Sequence, residues 1–320
     1  MKQPSWAALL GRQARLARRA AQPLRDHYKP PSGAGSWLMG SVVTAAGPRH
    51  YWLFRPAGVR FGERLPLLVM LHGCHQDARS FAASTRMNQL AARERFLVLY
   101  PEQPRLANAQ GCWNWFDTRS GRALAEAAWI LRAIEQVSVL YAADRERTAV
   151  AGLSAGASMA ALLATRHPQR FKALVMHSGV PPGTASSPAG AFGAMQGRRL
   201  PQAADEAAAV DWPPLMVIHG DADGVVSARN AGAAAKLWSQ AGGAKPGAPR
   251  ELRRGRRYPM RVTEFKQSRR LVATLVQVGQ LGHAWSGGAA RQRFSDANGP
   301  DASRMVWRFA ERQFNALPPR

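Results

Sequence analysis

The sequence predicts an α/β fold in which a mostly parallel sheet is covered by helices on both faces. Three observations lead there. Short, continuously apolar runs of strand length alternate with stretches of helical period through most of the chain. At 320 residues, 46% hydrophobic and 20% charged, the chain has ordinary globular composition and enough length for one large core. Its longest apolar runs, such as Leu65 to Leu71, fall far short of the roughly 20 residues that cross a bilayer.

The elements follow in order. Tyr51 to Phe54 and Leu65 to Leu71 predict strands, and Ser80 to Arg95 a helix. Next come a strand over Phe96 to Tyr100, a helix over Ala123 to Leu140, a strand at Thr148 to Ala151, a small-residue helix over Ala155 to Thr165 and a strand at Ala173 to Met176. Beyond a loop of Pro, Gly, Ala and Ser at 179–205 lie a strand at Leu215 to Ile218, a helix near Ala228 to Gln240, a strand at Leu271 to Val278 and an amphipathic helix from about Asp301 to Phe314. Gly242 to Arg270, rich in Gly, Pro and Arg, interrupts the alternation and predicts a basic surface insertion. Residues 1–35 set Trp6, Leu9, Leu10 and Leu16 among arginines before Pro23, Pro30 and Pro31, which predicts a basic N-terminal arm. Residues 36–320 then form a single domain.

The formal net charge is +24. Residues 1–60 hold ten basic side chains against one acid, Asp26, and residues 241–270 hold ten against Glu251 and Glu264, so the excess lies in the arm and the insertion. These arginines carry no nucleic-acid recognition motif or interleaved aromatic platform, which argues against a specific nucleic-acid partner and leaves contact of the arm with an anionic surface as the expectation. Ala7 to Leu10 is too short for the apolar core of a secretory signal, so export is not evident from the sequence.

The chemistry is concentrated in three strand ends. Thr148 to Met159 reads as strand, G-x-S-x-G, helix, with Gly152, Ser154 and Gly156 in the pattern. A serine becomes nucleophilic when a strained turn holds it outward beside a base, and the small residues Ala155, Ala157, Ala160 and Ala161 let the following helix pack close. Downstream, His219-Gly220-Asp221-Ala222-Asp223 follows a strand and offers two carboxylates, Asp221 and Asp223, to orient an imidazole. His283 follows the strand ending at Val278, in a loop with Gly282 before it and Gly287 and Gly288 after. The chain order Ser, Asp, His is that of an α/β-hydrolase. The turn Leu71-His72-Gly73-Cys74-His75 supplies a backbone donor, so Cys74 N–H and Ala155 N–H are the expected oxyanion donors. His72, His75 and His219 lack the spacing of a zinc site and read as structural, so no metal and no cofactor is expected.

Together LHGCHQDARSFAASTRMNQLAARERFLVLYPEQ, GCWNWF, GLSAGASMA, HGDADGVV and GHAWSGG resemble the polyhydroxybutyrate (PHB) depolymerase family of esterases, whose relatives include feruloyl and acetylxylan esterases. The resemblance runs from about residue 50 to 314. It implies an α/β-hydrolase fold, Ser154 as nucleophile, His283 as base and Asp223 rather than Asp221 as acid, because the family pattern HG-x-x-D carries a valine three residues on, here Val226. It also implies a disulfide between Cys74 and Cys112. The arm and the arginine-rich insertion fall outside the family pattern. The disulfide and the family suggest an extracellular enzyme, against the missing signal, which favours the cytoplasm.

Trp113, Trp115, Phe116 and Trp285 flank these motifs and are the expected substrate-binding side chains, lining a groove for an apolar ester. The expected reaction is hydrolysis of a PHB-type polyester or its oligomers, with a feruloyl or acetylxylan-type ester as the alternative. A different class, a non-catalytic protein holding a polyanion or granule surface, is separated from both by turnover of a short chromogenic ester.

Overall fold

The computed structural model describes residues 30–199, 201 and 211–316. Most of the basic arm, including its amphipathic stretch, lies outside the described residues. The arm was expected to run to residue 35, yet Ala34 O already accepts Ala57 N–H at 3.1 Å and β1 (Gly35–Thr44) begins one residue later.

Strands β1, β2 (Gly47–Pro56), β3 (Leu65–Leu71), β4 (Leu97–Pro101), β5 (Ala143–Leu153), β6 (Ala173–His177), β7 (Leu215–Gly220), β8 (Lys245–Pro246), β9 (Arg250–Leu252), β10 (Met260–Gln267) and β11 (Arg270–Val278) form one sheet. Its order is β1-β2-β4-β3-β5-β6-β7-β11-β10-β8, with β9 also paired to β10. The centre from β4 to β11 is parallel, and the strands at both edges are antiparallel. Every residue of β3, β4, β6 and β7 is buried, which is why these strands read as unbroken apolar runs rather than as alternation.

Helices cover both faces. On one lie α3 (Arg122–Leu140), α4 (Ala155–Arg166) and α6 (Arg229–Ala241), packed on Leu67, Val69 and Leu71. On the other lie α1 (Ala78–Thr85), α2 (Met87–Glu94) and α7 (Ala302–Asn315), packed on Leu68 and Met70. The short α5 (Pro188–Met195) sits in the loop after β6. The helix expected over Ser80 to Arg95 is two helices, because Arg86 adopts φ 56° and turns the chain between α1 and α2.

The predicted insertion also requires correction. Within it, β10 is a full member of the main sheet, paired along its length with β11. Met260 and Val262 point inward and are buried while Arg261 is exposed, an alternation that neighbouring arginines and glycines obscured in the sequence.

The chain leaves β3 for β4 on one side and β5 for β6 on the other, so the topological switch point falls between β3 and β5. Ligands of open α/β sheets bind beyond the carboxyl ends of the strands at such a point. Registers Leu71 to Gly152, Leu153 to His177 and Gly220 to Val278 bring the ends of β3, β5, β6, β7 and β11 to one edge.

Candidate active site

Ser154 occupies the turn between β5 and α4 with φ 55° and ψ −122°, a strained conformation for a residue with a Cβ. The two glycines of the motif make the turn sterically possible. A Cβ on Gly156 would lie 2.2 Å from Leu71 O, and one on Gly152 would lie 2.4 Å from Gly156 C. The serine is held by its backbone: its N–H donates to His177 O at 2.9 Å, and its carbonyl accepts Ser158 N–H at 3.1 Å.

Across the switch point, the turn after β3 faces the serine, since a Cβ on Gly73 would stand 3.5 Å from Ser154 Cβ. Gly73 N–H donates to Gln76 Oε1 at 3.0 Å and His75, at φ 61°, donates its N–H to Gln110 O at 2.7 Å. Among the described residues, neither Cys74 N–H nor Ala155 N–H has an intramolecular acceptor. The pair is thus available to an oxyanion.

A disulfide joins Cys74 to Cys112. Beneath it, buried Glu126 of α3 accepts Gln103 Nε2 and Asn114 Nδ2, each at 2.6 Å, and Asn114 N–H at 2.8 Å. Burial pushes this carboxyl upward against those hydrogen bonds. Gln103 N–H in turn donates to His72 Nε2 at 3.1 Å, so His72 is a neutral imidazole, and burial lowers its affinity for a proton.

On the other side, His283 Nδ1 donates to Asp223 Oδ2 at 2.8 Å. The Asp223 side chain is buried, and its Oδ1 accepts Val225 and Val226 N–H, both at 2.9 Å. Burial alone would raise its pKa. Hydrogen bonds from His219 and His283, with the His283 charge and Val226 N–H, override burial and hold the carboxyl well below the usual range. Asp221, the competing acid, instead accepts Gln280 N–H at 2.7 Å and braces the loop that carries His283.

Two further histidines complete this side. His219 Nε2 lies 3.2 Å from Asp223 Oδ2 and 2.9 Å from Val226 O. Both are acceptors, so Nε2 carries the proton. His177, which the sequence reading passed over, accepts Ser286 N–H on Nε2 at 3.1 Å and is buried neutral. Burial first, then the charges of His219 and His283, lower its pKa to about 3. A polar residue closing an otherwise apolar strand was its only signal in the sequence. Ser154 and His283 share the edge without a direct hydrogen bond among the described residues, and such contacts often tighten only when substrate binds.

Two of the four expected substrate-binding aromatics lie elsewhere. Trp113 is fully buried, stacks on Trp129 and donates Nε1–H to His72 O at 3.0 Å. Trp285 is fully buried between His177 and Phe81 and donates to Ser303 Oγ at 3.0 Å. Each indole N–H finds a partner inside the core, so these rings support the site from beneath. Trp115 is buried edge-on to half-buried Phe116, which leaves Phe116 the more accessible ring. Among the described residues no cluster of His, Cys, Asp or Glu could hold a metal ion, and no helix is long and apolar enough to cross a membrane.

Comparison with known proteins agrees with this architecture. The chain is 30% identical over 193 residues to poly(3-hydroxyalkanoate) depolymerase C of Paucimonas lemoignei, covering 57% of this chain and 46% of that protein. It is 28% identical over 217 residues to feruloyl esterase B of Neurospora crassa, covering 59% and 72%. The match thus spans under half of the depolymerase and most of the feruloyl esterase. An acetyl xylan esterase from Aspergillus awamori superposes with a TM-score of 0.62 at 17% identity, covering 77% of this chain and 94% of that one, which shows the α/β-hydrolase fold. The profile of the family described as esterase PHB depolymerase matches residues 49–244, more than half of the sequence, and the chain belongs to that family.

Proposed function

We propose that this chain hydrolyses carboxylic esters through Ser154, His283 and Asp223. The observation that carries this reading is the buried Asp223 to His283 hydrogen bond of 2.8 Å on the same strand edge as the strained Ser154 turn. The Asp223 carboxylate holds the proton on His283 Nδ1, which leaves Nε2 free to take the Ser154 hydroxyl proton as Oγ attacks the ester carbonyl. Cys74 and Ala155 N–H receive the developing oxyanion. Collapse returns the proton from Nε2 to the departing alcohol and leaves an acyl-enzyme. Water, deprotonated by the same nitrogen, then releases the acid and restores Ser154.

For substrate we favour an aliphatic polyester or its oligomers, in keeping with the depolymerase relative and with an accessible ring at Phe116. Feruloyl or acetyl esters of carbohydrates are the second reading, favoured by the greater share of the feruloyl esterase that is matched. The basic arm is assigned contact with anionic surfaces, which salt would weaken. Purified protein, assayed on a short chromogenic ester and then on hydroxybutyrate oligomers, methyl ferulate and acetylated xylan, tests the reading. Hydroxybutyrate oligomers should give the highest kcat/KM, preference for methyl ferulate or acetylated xylan would transfer the substrate, and no turnover of any ester would overturn the function.

A further inference from the structure

A cavity of about 740 Å³, which shares no lining residue with the Ser154 site, lies between the sheet face at β9, β10 and β11 and helix α7. Its floor is aliphatic: Met260, Val262 and Val276, all buried at the base of the groove. One wall carries Leu252 and Arg254 from β9 and the loop after it. The facing wall is α7, where Arg304, Arg308 and Arg312 recur every four residues and so stand about 6 Å apart on one face of the helix.

Only part of this charge is consumed internally: Glu264 pairs with Arg250 and Lys266 and also feels the charge of Arg312. Of the other lining residues, Arg250 is paired with Glu264, Arg257 donates to Ala297 O, and Asp301 caps α7 by accepting Arg304 N–H. Among the described residues Arg254, Arg304, Arg308 and Arg312 form no salt bridge, and Glu311, which also borders a separate pocket beside Trp307, is the remaining acid. Arginines brought from two separate stretches of sequence, 250–257 and 304–312, therefore surround an apolar floor. Met216 excepted, every lining residue lies outside residues 49–244, the stretch that the family profile matches.

The combination selects its occupant. A volume of this size suits a small molecule rather than a folded partner. No aromatic side chain lines the groove, so it lacks the stacking platform of a single-stranded nucleic acid. The aliphatic floor gains from burying hydrocarbon, and guanidinium forks at the rim pair with a planar carboxylate. We propose that this groove binds an aliphatic chain that ends in a carboxylate, at a site distinct from the Ser154 edge. The assignment does not depend on ester hydrolysis, because none of its residues belongs to the proposed catalytic set.

Calorimetric titration with decanoate tests it on the full chain, with decanol, acetate, decyl phosphate and tripolyphosphate as comparators. Decanoate should saturate one site and bind at least tenfold more tightly than any comparator. The Arg254→Ala, Arg304→Ala, Arg308→Ala, Arg312→Ala variant should bind decanoate at least tenfold more weakly while hydrolysing a short ester as before, and Arg308→Glu alone should weaken it severalfold. Ser154→Ala should leave the affinity unchanged. Equal affinity for decanol would reduce the groove to an apolar surface, equal affinity for tripolyphosphate would reduce it to charge, and tighter decyl phosphate would replace the carboxylate by a phosphate head. Unaltered decanoate binding in the arginine variants, or loss in Ser154→Ala, would place the ligand elsewhere. Each of these results overturns the proposal.

Discussion

On one side of Ser154 the Cys74 turn is tied by a disulfide and by a buried carboxylate network from Glu126 through Gln103 to His72. On the other side His283 rides a loop with no covalent tie among the described residues, held by buried Leu281 and Trp285 and by hydrogen bonds that include Gln280 N–H to Asp221, Ser286 N–H to His177 and its own Nδ1 to Asp223. The difference matches the two jobs proposed for these walls. Oxyanion donors act by being fixed where charge develops, so any freedom there lowers their value. A base must shuttle a proton between serine and leaving group, which tolerates small ring movements so long as tautomer and direction are kept. His72 and His177 serve both walls in the same way, each a buried neutral imidazole that accepts a backbone N–H.

The largest effects should fall on Ser154, which stands between the walls, and on His283 of the loop wall. Ser154→Ala and His283→Ala should each lower kcat by about 10⁴-fold or more, and the double variant should lose little beyond either, since they act as a unit. On the loop wall, Asp223→Asn should cost about 10⁴-fold whereas Asp221→Asn should cost less than about tenfold. Steady-state kinetics on a soluble ester reads all five, and an equal loss for the two aspartates would erase the distinction between acid and loop brace.

Breaking the covalent wall should show in stability before chemistry. Replacing Cys74 and Cys112 by serine opens a link across a sequence separation of 38, worth about 4 kcal/mol in the chain-entropy account. Urea unfolding should reveal that loss, and unchanged stability would mean the Glu126 network alone holds the turn.

Smaller effects separate positioning from structure on the loop wall. His219→Gln can still offer an N–H toward Asp223, whereas His219→Leu cannot. The leucine variant should lose about tenfold in kcat with little change in KM, and glutamine should recover most of it. Parallel losses in both variants would assign His219 to packing alone.

Acid stability has a definite sign at His177. Its pKa is about 3 when folded, below the ordinary histidine value of 6.5, so the unfolded chain binds the proton first as pH falls. The stabilisation is present above about pH 6.5 and is lost progressively toward pH 3, with a slope of up to about 1.4 kcal/mol per pH unit. Urea midpoints measured against pH should flatten over that window in His177→Gln, and an unchanged slope would show that other groups set it.

Much of this frame was legible in the sequence, for reasons that the same comparison exposes. Buried parallel strands read as solid apolar runs, and Gly152, Ser154 and Gly156 announce a turn that only small neighbours permit. The residues alone left Asp221 and Asp223 open, and only the resemblance to the family pattern favoured Asp223, whose carboxylate accepts Val226 N–H. What stayed hidden depends on contacts distant in sequence. Glu126 looks like any polar residue of a helix until Gln103 and Asn114 close over it, and Trp113 and Trp285 lie beside site motifs in sequence while pointing into the core. Strand β10 was masked because its arginines carry the eye away from the alternation of Met260 and Val262.

The central claim is that Ser154 is an activated nucleophile, and covalent capture tests it most directly. An aryl fluorophosphonate, incubated with the native protein and located by peptide mass spectrometry, should modify Ser154 stoichiometrically. Labelling should vanish in Ser154→Ala and slow by orders of magnitude in His283→Ala. Absence of labelling in the folded wild-type protein, or modification of another serine at the same rate, would contradict the account.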